Sequence, residues 1–254
     1  RYNRRNEQLA DAAERSAVIA DWMGAVPYPK EALNDAWKRF LWHQFHDDLT
    51  GTSIWEAYTY SWNDEFLAQG QFCDVILASA GAAASVMDTR AKGSPVLVYN
   101  PAAYSRRSLV EATVDLPAEA EGVAVYAPDG KTVPAQIVAR DGARATVLFA
   151  AAMEPVSYAV YDVRAGKAGK GKVLRASGNT LENRVYKVTL DANGDIASVI
   201  DKRNGRDLVE KGRAFRLAVL TPNVSNRYPA WEIHKATLDQ TPEPVDTDVG
   251  ISVA

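Results

Sequence analysis

From Asn6 to Met87 apolar residues recur every three or four positions, the spacing that lines one face of an α-helix. The first run uses Leu9, Ala13, Ser16, Ile19 or Ala20, and Met23, and is broken by Gly24 and Val26-Pro27-Tyr28-Pro29. A second run starts with Pro29 near a helix N-terminus and Glu31 in the first turn, and continues through Leu33, Ala36, Trp37, Phe40 and Leu41 to Phe45. The third uses Ile54, Tyr58, Trp62, Phe66, Cys73, Ile76, Ala80, Ala83 and Met87. Thr52 or Ser53 is placed to cap it, with Glu56 completing a capping-box pattern. The pattern predicts three amphipathic helices with short connections, a bundle over residues 1–91.

After Lys92-Gly93-Ser94-Pro95 the period changes to two. Strands are predicted at Val96–Tyr99, Leu109–Val114, Ala145–Phe149, Tyr158–Val163, Val185–Leu190 and Ala214–Leu220. Asp191-Ala192-Asn193-Gly194-Asp195 before Ile196–Ile200 predicts a hairpin whose Asn-Gly pair takes positive φ, and Asp129-Gly130 and Asn204-Gly205 predict further turns. Short strands without intervening helices predict an antiparallel β-sandwich over 94–254. The fold class expected is therefore α+β and multidomain, a three-helix bundle followed by that sandwich. Gly166-Lys167-Ala168-Gly169-Lys170-Gly171-Lys172 is too polar and Gly-rich to pack and is expected to be a mobile loop; it lacks the spacing of a phosphate-binding P-loop. No repeat of 20–50 residues is visible.

Composition narrows the function. At 47% hydrophobic and 24% charged, the 254 residues can bury a core, which excludes a disordered chain. A net charge of −3 argues against a nucleic-acid partner, which demands a basic field. Cys73 is the single cysteine, which excludes an internal disulfide and a Cys-based zinc site. No run reaches the ~20 apolar residues needed to span a membrane. The opening RYNRRNEQLA has neither an initiator Met nor an apolar signal core, so the chain reads as an excised piece or a processed product of undetermined compartment.

One segment is dense in chemistry. Trp37–Thr52 holds two of the three histidines, His43 and His46, three apart and so able to share a helix face, beside Asp47, Asp48 and the sharp turn Thr50-Gly51-Thr52. Imidazole plus carboxylate is a ligand set for zinc or a polarised general base. A His at a helix C-terminus and Asp or Thr before the next helix are also ordinary helix-end residues, and composition alone favours that reading.

Gln44-Phe45-His46-Asp47-Asp48-Leu49-Thr50-Gly51-Thr52-Ser53 resembles the NQFHDxxxGTS signature of glycoside hydrolase family 38, the retaining α-mannosidases. Three more segments resemble the family in the same order: Tyr99-Asn100-Pro101 with Ser105-Arg106-Arg107, Leu181–Lys202 as a strand pair, and Tyr228-Pro229-Ala230-Trp231-Glu232-Ile233. Trp42-His43 stands where the family pattern has a small or Asn-containing pair. The resemblance implies a zinc ion held by two histidines and two aspartates, with His46 as one ligand and Asp47 contacting sugar hydroxyls. Asp48 and His43 match no catalytic position. The nucleophile, the acid/base and the other three zinc ligands are implied to lie in a catalytic barrel domain upstream of Arg1, so no catalytic residue is expected in this chain. Alone it is expected to hydrolyse nothing and to bind no zinc. The strand beginning at Asp248 looks cut short, which would leave open sheet edges and invite self-association.

Of the six tryptophans, Trp22, Trp37, Trp42, Trp55 and Trp62 fall in the helical half and are expected to be buried, leaving Trp231 as a candidate for stacking on sugar. Asn223-Val224-Ser225 fits a glycosylation sequon. The competing function is a non-catalytic carbohydrate-binding or scaffolding module. The two separate on His46 and Asp47, which are open at the end of the bundle in the first and buried caps in the second.

Overall fold

The computed structural model describes residues 1–167, 174–220, 232–246 and 248–252. Four helices come first: α1 (Tyr2–Trp22), α2 (Lys30–Trp42), the short α3 (His46–Thr50) and α4 (Trp55–Val86). α1 ends in a Schellman turn: Gly24, at φ 68°, donates its N–H to Asp21 O, and Ala25 donates to Ala20 O. α2 starts after Pro29 with Glu31 in its first turn. It stops at Trp42, not at Phe45 as the periodicity predicts. The side-chain amide of Gln44 donates to Phe40 O, the carbonyl its backbone N–H would take in a continuing helix, and that N–H goes to Leu41 O. His43 and His46 therefore lie on opposite sides of a break and share no helix face.

Ala10, Ala13 and Ala17 of α1, Leu33, Ala36 and Phe40 of α2, and Ala68, Phe72 and Val75 of α4 form the helical core. Phe72 meets Trp37 and Phe40 edge-on at 5.9 and 6.4 Å between ring centroids. The buried stripe of α4 is not the predicted one. Ser61, Glu65, Ala68, Phe72, Val75, Ser79 and Ala83 face inward, whereas Ile54, Trp62 and Phe66 are exposed. The α1 face is mostly alanine and the buried α4 residues are mostly small, so the bulkier side chains stand outside. Trp22, Trp42, Trp55 and Trp62 are likewise exposed, against the expectation of burial, and Trp37 is the one that packs on the core. The expected capping box is absent too: Ile54 is the N-cap of α4 and makes no side-chain cap.

The chain divides into two compact units, Arg1–Gly171 and Lys172–Ala254. In the first, seven strands follow the helices: β1 (Ser94–Asn100), β2 (Arg106–Asp115), β3 (Val123–Tyr126), β4 (Thr132–Val133), β5 (Ala135–Asp141), β6 (Arg144–Met153) and β7 (Ser157–Ala165). They form two antiparallel sheets, β1-β7-β3-β4 and β2-β6-β5. Alternate residues of β6, Ala145, Val147, Phe149, Ala151 and Met153, turn inward and share one core with Val98, Val125, Tyr161 and Val163 of the facing sheet. Tyr161 ties the layers together. Its hydroxyl donates to Ala152 O at 2.8 Å and accepts from Ala152 N–H at 2.9 Å.

α1 is fastened to this sandwich by Tyr99, which donates to Ala12 O, by Tyr158, whose hydroxyl lies 2.6 Å from Ser16 Oγ, and by Arg15, which donates to Pro101 O. Tyr99 and Tyr158 stack at 4.7 Å, and burial, with Tyr158 beside it, pushes the Tyr99 phenol well above its ordinary range.

The second unit has β8 (Arg175–Ser177), β9 (Thr180–Glu182), β10 (Tyr186–Leu190), β11 (Ile196–Asp201) and β12 (Arg206–Asp207) in one antiparallel sheet, then β13 (Ala218–Val219), α5 (Lys235–Leu238) and β14 (Glu243–Pro244). The β10–β11 connection forms as predicted in place but not in type. Gly194 takes positive φ, Asn193 does not, and the Asp191 carboxylate accepts from the Asn193 and Asp195 N–H groups. The strand predicted at 214–220 shortens to β13, with Phe215 bridging singly to Ile196. Residues 168–172 of the Gly-rich loop, the sequon at 223–225 and Tyr228–Trp231 lie outside the described residues.

Candidate functional site

His46 opens α3 instead of tipping α2 as the periodicity implied. Its side chain is 78% exposed, and its Nε2 lies 3.5 Å from Oδ2 of Asp47, which is 45% exposed. The Phe45 ring lies against the imidazole at 4.2 Å. The backbone carrying the pair is well held. Tyr58 Oη donates to Asp47 O, Thr52 Oγ1 donates to Asp47 Oδ1, and the Thr52 and Ser53 N–H groups both donate to Asp47 O. Gly51, at φ 82°, turns the chain back toward α4, a conformation glycine adopts without a Cβ penalty. Thr52 and Ser53 serve α3 and this turn, not the start of α4.

His43, the other histidine of the segment, is buried. Its Nδ1 lies 2.7 Å from Asp48 Oδ2 and its Nε2 3.3 Å from Asp64 Oδ2. Ser61 Oγ is 3.0 Å from both oxygens of Asp48. A step further along α4, Glu65 accepts from Asn6 Nδ2 of α1. Burial pushes the Glu65 carboxyl up, against the lowering effects of the Asn6 hydrogen bond and of nearby His43. A cavity of about 350 Å³ opens over this end of the bundle, with Asn3, Gln44, Asp48, Tyr58, Ser61 and Glu65 in its wall.

Sequence reasoning located His46, Asp47, His43 and Asp48 but missed Ser61, Asp64, Glu65 and Asn6. Ser61, Asp64, Glu65 and Gln69 recur at helical spacing, but the aromatic stripe beside them is the one that hydrophobicity assigns to the core.

The donor chemistry at His46 and Asp47 suits zinc only as part of a shared set. An accessible imidazole on a fixed backbone is a good ligand, but zinc takes four donors. Among the described residues no group of three or more His, Cys, Asp or Glu is placed to hold a metal. None of the described helices is long and apolar enough to cross a membrane.

Residues 1–80 match the family model of the alpha mannosidase middle domain. The fold over most of the chain is similar to that of two solved structures. An alpha-mannosidase from Enterococcus faecalis V583 is similar at a TM-score of 0.68 and 22% identity, over 89% of this chain and 30% of that one. A protein in the glycosyl hydrolase family 38 from Enterococcus faecalis is similar at 0.66 and 22%, over 85% and 30%. This chain thus spans about a third of either structure's length. No curated protein matches it. The family model thus accounts for the helical part, and the solved structures for the fold over most of the chain.

Proposed function

We propose that this chain is the middle and sandwich portion of a zinc-dependent retaining glycosidase that removes terminal α-linked mannose from glycans or oligosaccharides. His46 holds the zinc together with donors from a catalytic barrel domain, and Asp47 accepts hydrogen bonds from sugar hydroxyls, as an ionised carboxylate can. When bound, zinc offers open coordination positions to vicinal hydroxyls of the sugar. The two carboxyl groups of a retaining mechanism, about 5–5.5 Å apart, are assigned to the barrel. The chain alone is expected neither to turn over a mannoside nor to retain zinc.

The observation that carries this reading is the exposed imidazole of His46 beside the half-exposed Asp47, on a short helix anchored from below. A helix-end pair with a purely local role would be satisfied by its own backbone, and His46 has no partner nearer than the 3.5 Å to Asp47 among its ion pairs. The test is His46→Ala in the intact enzyme, with zinc content by mass spectrometry, hydrolysis of an aryl α-mannoside, and far-ultraviolet circular dichroism. Loss of both zinc and turnover with an unchanged spectrum is expected. Retained zinc-dependent turnover would refute the assignment and favour a non-catalytic carbohydrate-binding role.

A further inference from the structure

α3 is five residues long and buries none of them. A helix so short has no stability of its own, since the first turn costs more order than its hydrogen bonds return. Without a buried face, hydrophobic packing cannot hold it in place either. Its position has to come from polar ties, and these are few. Tyr58 and Thr52 bind Asp47, while the Asp48 carboxylate meets Ser61 of α4 and the ring of His43. The Asp48–His43 contact is the most shielded of them, with side chains 14% and 6% exposed, and carboxylate–imidazole hydrogen bonds are stronger than neutral ones.

His43 is itself fixed from three sides. Its carbonyl accepts from Asn3 Nδ2 of α1, its backbone ends α2, and its second ring nitrogen faces Asp64 of α4, whose other oxygen lies 3.6 Å from Arg39. The ring thus joins α3 to α4, while the backbone of the same residue ends α2 and is tied to α1.

We infer that His43 is a positioning residue for the site on α3. By holding Asp48 on one nitrogen and Asp64 on the other, it sets the rotation at which α3 presents His46 and Asp47. Asp48 follows His46 by two residues on a helix of little more than one turn, so releasing it frees α3 to roll about its axis and swing the imidazole. A ligand displaced in this way no longer meets donors held on another domain, and functional constellations tolerate displacements of only about 0.5 Å. The consequence for zinc rests on the function proposed above; the anchoring of α3 does not.

The two ring nitrogens can be replaced separately. In the intact enzyme, His43→Asn puts an amide near the Nδ1 position and preserves the tie to Asp48, His43→Gln reaches toward Asp64 instead, and His43→Leu removes both. Two readouts are needed: hydrogen exchange of the amides of residues 46–53, with α1 amides as control, and zinc affinity by competition with a chelator. His43→Leu is expected to speed exchange in 46–53 without doing so in α1, and to lower zinc affinity by about 10–100-fold, the range seen when a partner that orients a ligand is lost. His43→Asn is expected to restore both, and His43→Gln neither. Equal rescue by His43→Gln, unchanged exchange in His43→Leu, or acceleration spread evenly through α1 would each overturn the inference. Should His43→Leu fail to fold, the contrast between the other two variants carries the test. Zinc retained in His46→Ala would sink the proposed function but leave the exchange result standing, so the two failures are distinguishable.

Discussion

Glu65→Gln should make the protein more stable at pH 8 and change little at pH 4. Glu65 is 4% exposed and accepts from Asn6 Nδ2, which also donates to the Glu65 carbonyl at 3.0 Å. Asn6 is fully buried, and its own Oδ1 has no hydrogen-bond partner. A glutamine of the same size keeps an oxygen for Asn6 Nδ2 and brings an NH₂ donor for that orphaned oxygen. A newly made buried hydrogen bond contributes about 1 kcal/mol net. Removing a buried charge adds to this, so about 1–2 kcal/mol is expected at pH 8.

The pH dependence has a definite sign. Burial raises the Glu65 pKa above its unfolded value of 4.5, so the folded state binds the extra proton. Stability from this group is complete below that value and is lost as pH rises through the folded pKa. At pH 4 the protonated carboxyl carries its own O–H for Asn6 and the two proteins match. With about 2–4 °C per kcal/mol for a domain of this size, the melting midpoint should rise about 2–8 °C at pH 8. Melts followed at 222 nm report α1, α2 and α4, which all lie in the first unit. A gap independent of pH, or a lower midpoint at pH 8, would refute the reasoning.

Two further predictions concern the first unit. Tyr161→Phe removes the hydroxyl of a buried side chain and with it both bonds to the Ala152 backbone, and should cost about 1–2 kcal/mol in denaturant melts; an unchanged midpoint would show that the hydroxyl does not join the sheets. Gly93→Ala and Gly24→Ala should differ in kind. A Cβ on Gly24 meets nothing and costs only the left-handed backbone, about 1–2 kcal/mol, whereas on Gly93 it would lie 2.1 Å from Val163 O and force β1 away from β7. The second variant should therefore be the less stable, and the reverse order would count against the packing described here.

The likeness of the segment around His46 to a mannosidase motif was legible without coordinates, because a run such as Phe45-His46-Asp47 followed by Thr50-Gly51-Thr52 is a local property of the chain. So was the change of period near Ser94, since side-chain alternation follows from backbone geometry alone. The glycine turns were legible for the same reason. What escaped was the rotation of α4 and the break after Trp42. Hydrophobicity ranks Trp62 and Phe66 above Ser61 and Glu65 as core residues, yet Asp48 of α3 and Asn6 of α1 give the smaller pair hydrogen-bond partners inside. Likewise, nothing local tells Gln44 to give its side-chain amide to Phe40 O.

The sequence by itself determined two helices close to their observed limits, a third that stops three residues early, and most of the longer strands. Tertiary structure alone decided which residues of α4 face inward, that α2 ends before the motif, and that His43 joins Asp48 to Asp64. The reason is physical. Helical and strand periods are set within a few residues, whereas burial and polar pairing depend on the shape and charge of whatever packs alongside, and in this protein those partners lie 59 residues apart, as for Asn6 and Glu65, or as many as 142, as for Ser16 and Tyr158.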